Sequence, residues 1–205
     1  MKEIDDFLPR WVTPALSPRG YRKSSHTYRK HFESGDWGVF SFRGFPLTNV
    51  RGSFVADASF VPGPLFDWFN YAHPGPGDEA ANRLVVVLGQ PTVIPARRRL
   101  AVSTDAERDI CGGLLVDRPA EVAPLFDRFA ADPDLLVSLA LTHERHDFDE
   151  LPLSRSHLQH PTWRAALLIR RVPSPELEQA LTDADGYPLL LLRQWTEHYL
   201  TSNGA

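Results

Sequence analysis

The sequence predicts an α+β fold, an antiparallel sheet of about four to five strands with an N-terminal helix and a C-terminal group of helices. The stretch Gly20–Pro62 contains three strand-like segments separated by short Gly-containing turns. Residues 3–16 before it carry a helical apolar spacing, and helical patterns return from Thr104 onward. We therefore predict a single α+β domain over residues 1–205, with a sheet-forming part at about 1–103 and a helical part at about 104–205.

The N-terminal helix is predicted by apolar residues that recur at intervals of three and four positions. This stripe consists of Ile4, Phe7, Leu8, Trp11, Val12, Ala15 and Leu16. The sequence Ser17-Pro18-Arg19-Gly20 should end the helix, because proline disrupts it and Gly20 is free to take a positive φ.

The three strands of the central stretch are predicted at about residues 21–32, 37–45 and 53–62. The second strand has apolar residues on both faces, which is typical of a central strand. The third strand alternates, with one apolar face made of Phe54, Ala56, Ala58 and Phe60. Short links between neighbouring strands indicate antiparallel pairing. A buried strand at 84–88, after a loop at 72–82, and an edge strand at 98–103 would complete the sheet.

The helical part begins where Thr104 or Asp105 can cap a segment that reaches about Leu115 and is weakened by Gly112-Gly113. A second amphipathic helix is predicted from Pro119, and Asp132 can cap a third. Pro64–Tyr71 is predicted to be a short aromatic helix or turn. Further predicted helices are Pro161–Arg171, Pro175–Asp183 and Pro188–Tyr199, while residues 147–156 are polar and irregular.

Composition and charge exclude several classes of protein. The 22 basic and 26 acidic residues give a net charge of −4, which argues against a dedicated nucleic-acid binder. The lone cysteine, Cys111, excludes an intramolecular disulfide and favours a reducing cytoplasm. The acidic N-terminus lacks the layout of a signal peptide, and no apolar run approaches the ~18 residues that span a bilayer. We therefore expect a cytoplasmic protein without a membrane partner.

The first half of the chain resembles a known bacterial family. The order Gly20-Tyr21-Arg22-Lys23, Tyr28-Arg29, Trp37–Phe45 and Phe54–Val61, after an opening helix, is similar to the family catalogued as domain of unknown function 4304. The segment around 98–103 departs from that pattern, because it lacks tryptophan. The resemblance implies an α+β fold with helices against an antiparallel sheet, and it brings no catalytic residues and no known activity.

A basic and aromatic surface is predicted on the first two strands, with the candidate binding residues Arg22, Tyr28, Arg29, His31, Trp37 and Arg43. Alternation puts Tyr28 on the opposite face of its strand from Arg29 and His31. Such a surface suits another protein, and the negative total charge disfavours nucleic acid. The alternative is a solvated face whose cations pair with Glu33, Asp36 and Asp57.

A histidine cluster carries the pattern that most suits a metal. His143, His146, His157 and His160 form two H-x2-H pairs among carboxylates, and imidazoles with carboxylates suit zinc or another divalent ion. The alternative is a polar connector between helices, and we predict no required cofactor. The spacing matches neither a zinc finger nor the H-E-x-x-H motif.

These observations favour a non-catalytic binding protein, such as a toxin-neutralising (immunity-type) or accessory protein. Phosphate-binding, dinucleotide-binding and G-x-S-x-G motifs are absent from the sequence, and nothing places a base beside Cys111. One alternative is a small enzyme, metal-assisted through the four histidines. Another is a small-molecule pocket between sheet and helices, lined by aromatic residues of the second and third strands.

Overall fold

The computed structural model of the chain describes residues 2–44, 53–72, 100–141, 147–148, 151–152, 161–171, 174–183 and 187–203. The helices are α1 (Lys2–Trp11), α2 (Thr13–Leu16), α3 (Gly63–Ala72), α4 (Asp105–Ala131), α5 (Pro133–Leu141), α6 (Pro161–Leu168), α7 (Pro175–Asp183) and α8 (Tyr187–Asn203). The strands are β1 (Arg22–Ser24), β2 (Thr27–His31), β3 (Trp37–Gly44), β4 (Ser53–Val61), β5 (Leu100–Ala101), β6 (Asp147–Phe148) and β7 (Leu151–Pro152). The predicted α+β class is confirmed. The predicted loop at 72–82 and the predicted strand at 84–88 lie outside the described residues, except for Ala72.

The chain forms two compact units. The first contains residues 1–60 and 90–131, and the second contains residues 61–89 and 132–205. The predicted boundary near residue 103 does not separate these units, because α4 belongs with the sheet. The prediction of one domain over the whole chain stays a prediction.

The N-terminal helix of the first unit follows the predicted stripe. Six of its seven members are buried, and only Trp11 is partly exposed. The helix is interrupted at Val12, so that α1 and α2 follow each other, and a 3₁₀ turn at Ser17–Arg19 leads into Gly20. Gly20 has φ +85°, a left-handed conformation that glycine adopts without steric cost, as predicted.

The sheet has the strand order β1-β2-β3-β4-β5, and its strands are antiparallel. The predicted first strand at 21–32 is instead a hairpin, because Ser25 takes φ +53° and the chain reverses there. Ser24 pairs with Thr27, which leaves a two-residue turn of Ser25 and His26. Edge strand β5 is shorter than predicted and pairs with the start of β4. The hairpin thereby adds an exposed edge strand, β1, to the sheet.

One face of the sheet, called the inner face here, packs against helices of the same unit. Phe40 and Phe60 both contact Phe126 of α4, with ring centroids 5.6 and 5.7 Å apart. Phe54 contacts Phe7 of α1 at 6.0 Å. The predicted apolar face of β4 is confirmed, since Phe54, Ala56, Ala58 and Phe60 are all buried. This aromatic layer supplies the apolar burial that stabilises the unit.

Helix α4 is continuous over 27 residues, where the sequence predicts two separate helices. Its start is the predicted cap: Glu107 N–H donates to Thr104 Oγ1, and Thr104 N–H donates to Glu107 Oε2. Pro119 and Pro124 each remove a backbone donor without ending the helix. Burial explains the difference, because the apolar residues on both sides of Pro119 lie in one core; they are Leu115, Val122, Phe126 and Phe129.

The second unit is mainly helical. Trp68 of α3 and Trp195 of α8 meet edge to face, with centroids 5.6 Å apart, and all residues from Ala165 to Ile169 are buried. The predicted cap at Asp132 is present, since its carboxylate accepts a hydrogen bond from Leu135 N–H. Residues 147–156, predicted to be irregular, contain the short antiparallel pair β6–β7. The predicted helices at 161–171, 175–183 and 188–199 are confirmed as α6 with a 3₁₀ turn at Ile169–Arg171, α7 and α8.

None of the helices in the described ranges is both long enough and apolar enough to cross a membrane.

Candidate functional site

The candidate site lies on the outer face of the sheet, which is the face opposite the aromatic layer. Side chains alternate along β2, so Arg29 and His31 point to the outer face while Tyr28 and Lys30 point inward. The pairing of β2 with β3 sets His31 opposite Trp37 and Arg29 opposite Val39. Five of the six predicted binding residues therefore share this face: Arg22, Arg29, His31, Trp37 and Arg43. We call these five residues the hairpin face.

Tyr28 does not belong to the hairpin face, and its prediction as a surface residue is corrected. Its side chain is fully buried, and its ring meets Phe42 edge to face at 5.9 Å. The Tyr28 hydroxyl lies 2.7 Å from Thr13 Oγ1, which ties β2 to α2. Burial raises the pKa of Tyr28, although the hydrogen bond with Thr13 opposes that shift. Tyr28 thus acts in the core, as the alternation of its strand indicates.

Two arginines lie directly opposite each other on β1, an edge strand of the sheet, and its neighbour β2. Arg22 of β1 and Arg29 of β2 are Cα partners in the antiparallel ladder, and like charges in that position destabilise a sheet. Neither arginine forms an ion pair with another residue that the structure describes. Within the same described residues, Arg29 Nε is buried and has no hydrogen-bond acceptor. The positive charges of Arg22 and Arg29 are therefore not compensated by the described residues. The unpaired buried donor of Arg29 costs further stability.

An aromatic pair lies one row further along the same face. The ring of His31 is 4.5 Å from that of Trp37, with 41° between their planes. His31 is exposed and Trp37 is partly exposed, so the pair forms an accessible aromatic surface. Tryptophan and arginine are the residue types most enriched at the energetic centres of protein interfaces. The hairpin face therefore places Trp37 in the row next to Arg29.

Arg43 is the one member of the hairpin face that has a carboxylate partner among the described residues. Its Nε donates to Asp57 Oδ2 at 3.0 Å, and its Nη2 donates to the same oxygen. The Arg43 side chain is 55% exposed, whereas that of Asp57 is 1% exposed. The alternative interpretation, in which the cations pair within the sheet, thus holds for Arg43 and Asp57.

Exposure on the outer face falls from β1 toward β4. All three residues of β1 are exposed, and Arg29 of β2 is half-buried. Val39 and Ser41 of β3 and Ser59 of β4 are buried. The accessible part of the outer face is therefore the β1–β2 hairpin together with Trp37 and Arg43.

The inward-facing Lys30 has a structural role instead. Its ammonium donates to Asp127 of α4 at 2.6 Å and lies 4.7 Å from the centre of the Phe32 ring. Beside this contact lies an open groove of about 250 Å³, lined by Phe32, Glu33, Ser34, Asp127, Ala130 and Ala131. Lys30 thus neutralises one of the two carboxylates of the groove and fastens β2 to α4.

The hairpin turn is held to α1 by a second polar contact. His26 Nε2 and Asp5 Oδ1 are 2.6 Å apart, and the backbone carbonyl of His26 accepts a hydrogen bond from Phe42 N–H. The hydrogen bond with His26 lowers the pKa of the Asp5 carboxyl. The contact joins the turn between β1 and β2 to α1.

The aromatic residues proposed to line a small-molecule pocket contact one another instead. Phe42 lies against Phe54 at 6.3 Å, and Phe60 lies against Phe126 and Phe129 at 5.7 and 5.5 Å. Each of these rings is at most 2% exposed. Within the described first unit, these rings form packed core.

The histidine cluster lies outside the described residues. His143, His146, His157 and His160 fall in residues 142–146 and 153–160, so the predicted metal site stays a prediction. Within the described ranges, no three His, Cys, Asp or Glu side chains form a group that could hold a metal ion. Cys111 is buried in α4, as expected for a small apolar residue.

Comparisons of the chain with protein-family models, with curated proteins and with solved structures gave no match. The resemblance to domain of unknown function 4304 therefore stays a prediction. Sequence reasoning found the residues of the hairpin face but missed the direct opposition of Arg22 and Arg29. A turn at Ser25-His26 would have revealed it, but serine and histidine are weak turn signals compared with glycine or asparagine.

Proposed function

We propose that the protein is a non-catalytic binding protein that contacts an acidic surface of another protein through its hairpin face. The observation that carries this proposal is the opposition of Arg22 and Arg29 without a carboxylate among the described residues. A partner carboxylate placed between them would remove the repulsion and accept the free Arg29 Nε donor. The chain thus gives up stability at a position where an anionic partner would restore it.

The neighbouring His31–Trp37 pair supports a protein partner. It offers an accessible aromatic surface in the row next to Arg29, and tryptophan and arginine are enriched at the energetic centres of protein interfaces. The net charge of −4 disfavours a nucleic-acid partner, because binding nucleic acid requires many contacts between basic residues and phosphates. We include in this proposal a cytoplasmic location, favoured by the lone cysteine, and toxin neutralisation as the specific form of binding.

Affinity capture with matched charge variants tests the proposal. The wild-type chain, Arg22→Glu and Arg193→Glu are used as bait in an extract of the native host, and bound proteins are quantified by mass spectrometry. Arg193 is an exposed arginine of α8 in the second unit, so its variant makes the same change of charge at a residue that is not part of the hairpin face. We expect a defined acidic protein that wild type and Arg193→Glu retain and Arg22→Glu loses.

Two results would contradict the proposal. Retention of the same proteins by all three baits would show that the hairpin face does not bind them. Loss of the captured proteins after nuclease treatment would show that nucleic acid bridges them. The captured protein, once purified, is then titrated with the wild-type chain at two salt concentrations, since screening should weaken binding through exposed arginines.

A further inference from the structure

Two adjacent glycines of α4 lie in different surroundings. At Gly112, a β-carbon would overlap the indole ring of Trp11, so the close packing of α1 on α4 requires glycine. At Gly113, a β-carbon would meet no atom within 4 Å apart from those of its chain neighbours and the backbone of its own helix. Glycine inside a helix costs stability relative to alanine. The packing of the chain explains Gly112 and leaves Gly113 without a reason.

Gly113 lies between two exposed apolar side chains. Ile110 and Leu114 are 67% and 39% exposed, and they are two of the three large hydrophobic residues that are exposed in the described ranges. Positions i and i+4 of a helix are neighbours on its surface, so Ile110 and Leu114 form one row, and Gly113, three positions after Ile110, lies beside that row. The adjacent Cys111 and Leu115 are buried, so the outward direction of Ile110 and Leu114 is set by the core itself.

Two acidic side chains flank this apolar strip. Asp109 lies one turn before Gly113 and Asp117 one turn after it, and both are exposed. Neither forms an ion pair with another described residue. We call Asp109, Ile110, Gly113, Leu114 and Asp117 the Gly113 face. It has an apolar centre with room for close approach and a negative border.

We propose that the Gly113 face docks an amphipathic helix of another protein, with small and leucine-like residues on its apolar face and lysine or arginine beside them. The missing side chain at Gly113 lets a partner backbone approach closely, and the flanking aspartates select a basic border. This surface is separate from the hairpin face and does not depend on the function proposed above.

The same charges disfavour a second copy of this chain as the occupant. If two α4 helices crossed at Gly113 in antiparallel directions, Asp109 of each would lie beside Asp117 of the other. A parallel crossing would bring identical aspartates together. Either arrangement sets unpaired carboxylates against each other at the border, which opposes association.

The test uses the full-length chain and two synthetic peptides of about 18 residues, enough for five helical turns. Both peptides carry leucine and alanine on one face; one has lysine on the other face and one has glutamate. Binding is measured by fluorescence anisotropy of labelled peptide, and the oligomeric state by sedimentation. The variants are Gly113→Leu, Asp109→Asn/Asp117→Asn, and the control Ala131→Leu, which introduces the same leucine side chain at an exposed position at the end of α4.

We expect saturable binding of the lysine peptide only. Gly113→Leu should weaken it about tenfold or more, because the added side chain blocks close approach, while Ala131→Leu leaves it unchanged. The double aspartate variant should weaken it about threefold and reduce its dependence on salt. A single cooperative thermal unfolding transition, at a temperature no lower than that of wild type, shows that each variant is folded.

Three results would overturn the proposal. One is equal binding of the two peptides, and another is equal binding of the lysine peptide to wild type and Gly113→Leu, which includes no binding to either. The third is a dimer of wild type that Gly113→Leu abolishes, because a second copy would then be the occupant.

Discussion

The core of the first unit and its exposed surface differ in one respect: packing explains the residue types of the core, but it does not explain certain residues of the surface. On the inner face, aromatic rings of β3, β4 and α4 contact one another and are buried. On the exposed surface, Arg22 opposes Arg29 on the outer face of the sheet, and Gly113 occupies an exposed position of α4 with no steric need for glycine. Both surface features cost stability, and no contact with the described residues offsets that cost. Such costs concentrate where a protein contacts something else, so the difference locates the candidate surfaces.

The largest expected effect tests the inner side. Phe60 is fully buried and contacts rings of Phe32, Phe126 and Phe129, so Phe60→Ala should lower the free energy of unfolding by about 3–5 kcal/mol. Trp37→Ala on the outer face should cost no more than about 1 kcal/mol. Urea denaturation of both variants measures this. Similar losses for the two variants would remove the distinction between the faces.

The next effect compares the two glycines of α4. Gly112→Ala should destabilise the fold by about 1–3 kcal/mol, since the new methyl group displaces the Trp11 ring. That ring stacks on Phe7 and lies under the guanidinium group of Arg10, so it cannot move without losing contacts. Gly113→Ala should instead stabilise the fold by about 0.5–1 kcal/mol. Thermal and urea unfolding of this pair measure the sign, and destabilisation by Gly113→Ala would show that glycine is needed there for the fold.

A smaller effect concerns the arginine pair. Arg22→Glu places opposite charges across the ladder at Arg29 and should raise the free energy of unfolding by about 0.2–1 kcal/mol. The control is Lys23→Glu, which makes the same change of charge at the next residue. Lys23 pairs with Tyr28 and its charge acts on Asp5, so this control should bring no gain. A gain in stability with a loss of partner binding in Arg22→Glu would show that the pair is kept for binding. Destabilisation by Arg22→Glu would mean that Arg22 supports the fold.

The sequence predicts the inner side better than the outer side, for a physical reason. Alternation in β4 and the stripe in α1 and α2 are set by burial, which repeats along the chain and is visible in residue types. The hairpin turn depends on one positive φ at Ser25, and a serine in the sequence does not predict that conformation. The continuity of α4 through Pro119 depends on burial in the tertiary structure, which overrides local helix propensity.

The candidate site was predictable by residue type but not by geometry. Arg22, Arg29 and His31 stand out because basic and aromatic residues alternate in that stretch. Their facing partners follow from the register of three strands, which one residue of slippage would reverse. The Gly113 face has a weaker signal, since the sequence shows two adjacent glycines and cannot tell which of them the Trp11 ring requires.

The smallest effect is a dependence on pH at the contact that positions the hairpin. The hydrogen bond with His26 lowers the pKa of Asp5 in the folded chain below the ordinary value of 3.8. A carboxyl with a lowered folded pKa adds stability above its unfolded pKa, and this contribution is lost as pH falls through the folded value. The stability difference between wild type and Asp5→Asn should therefore shrink as pH falls below about 5. Urea denaturation of both proteins across this range measures it, with Asp6→Asn, which leaves the His26 contact intact, as the matched control. Because Asp5 is exposed, the difference should also fall with added salt, and a difference that persists unchanged in acid would show that the contact does not hold the hairpin through the Asp5 charge.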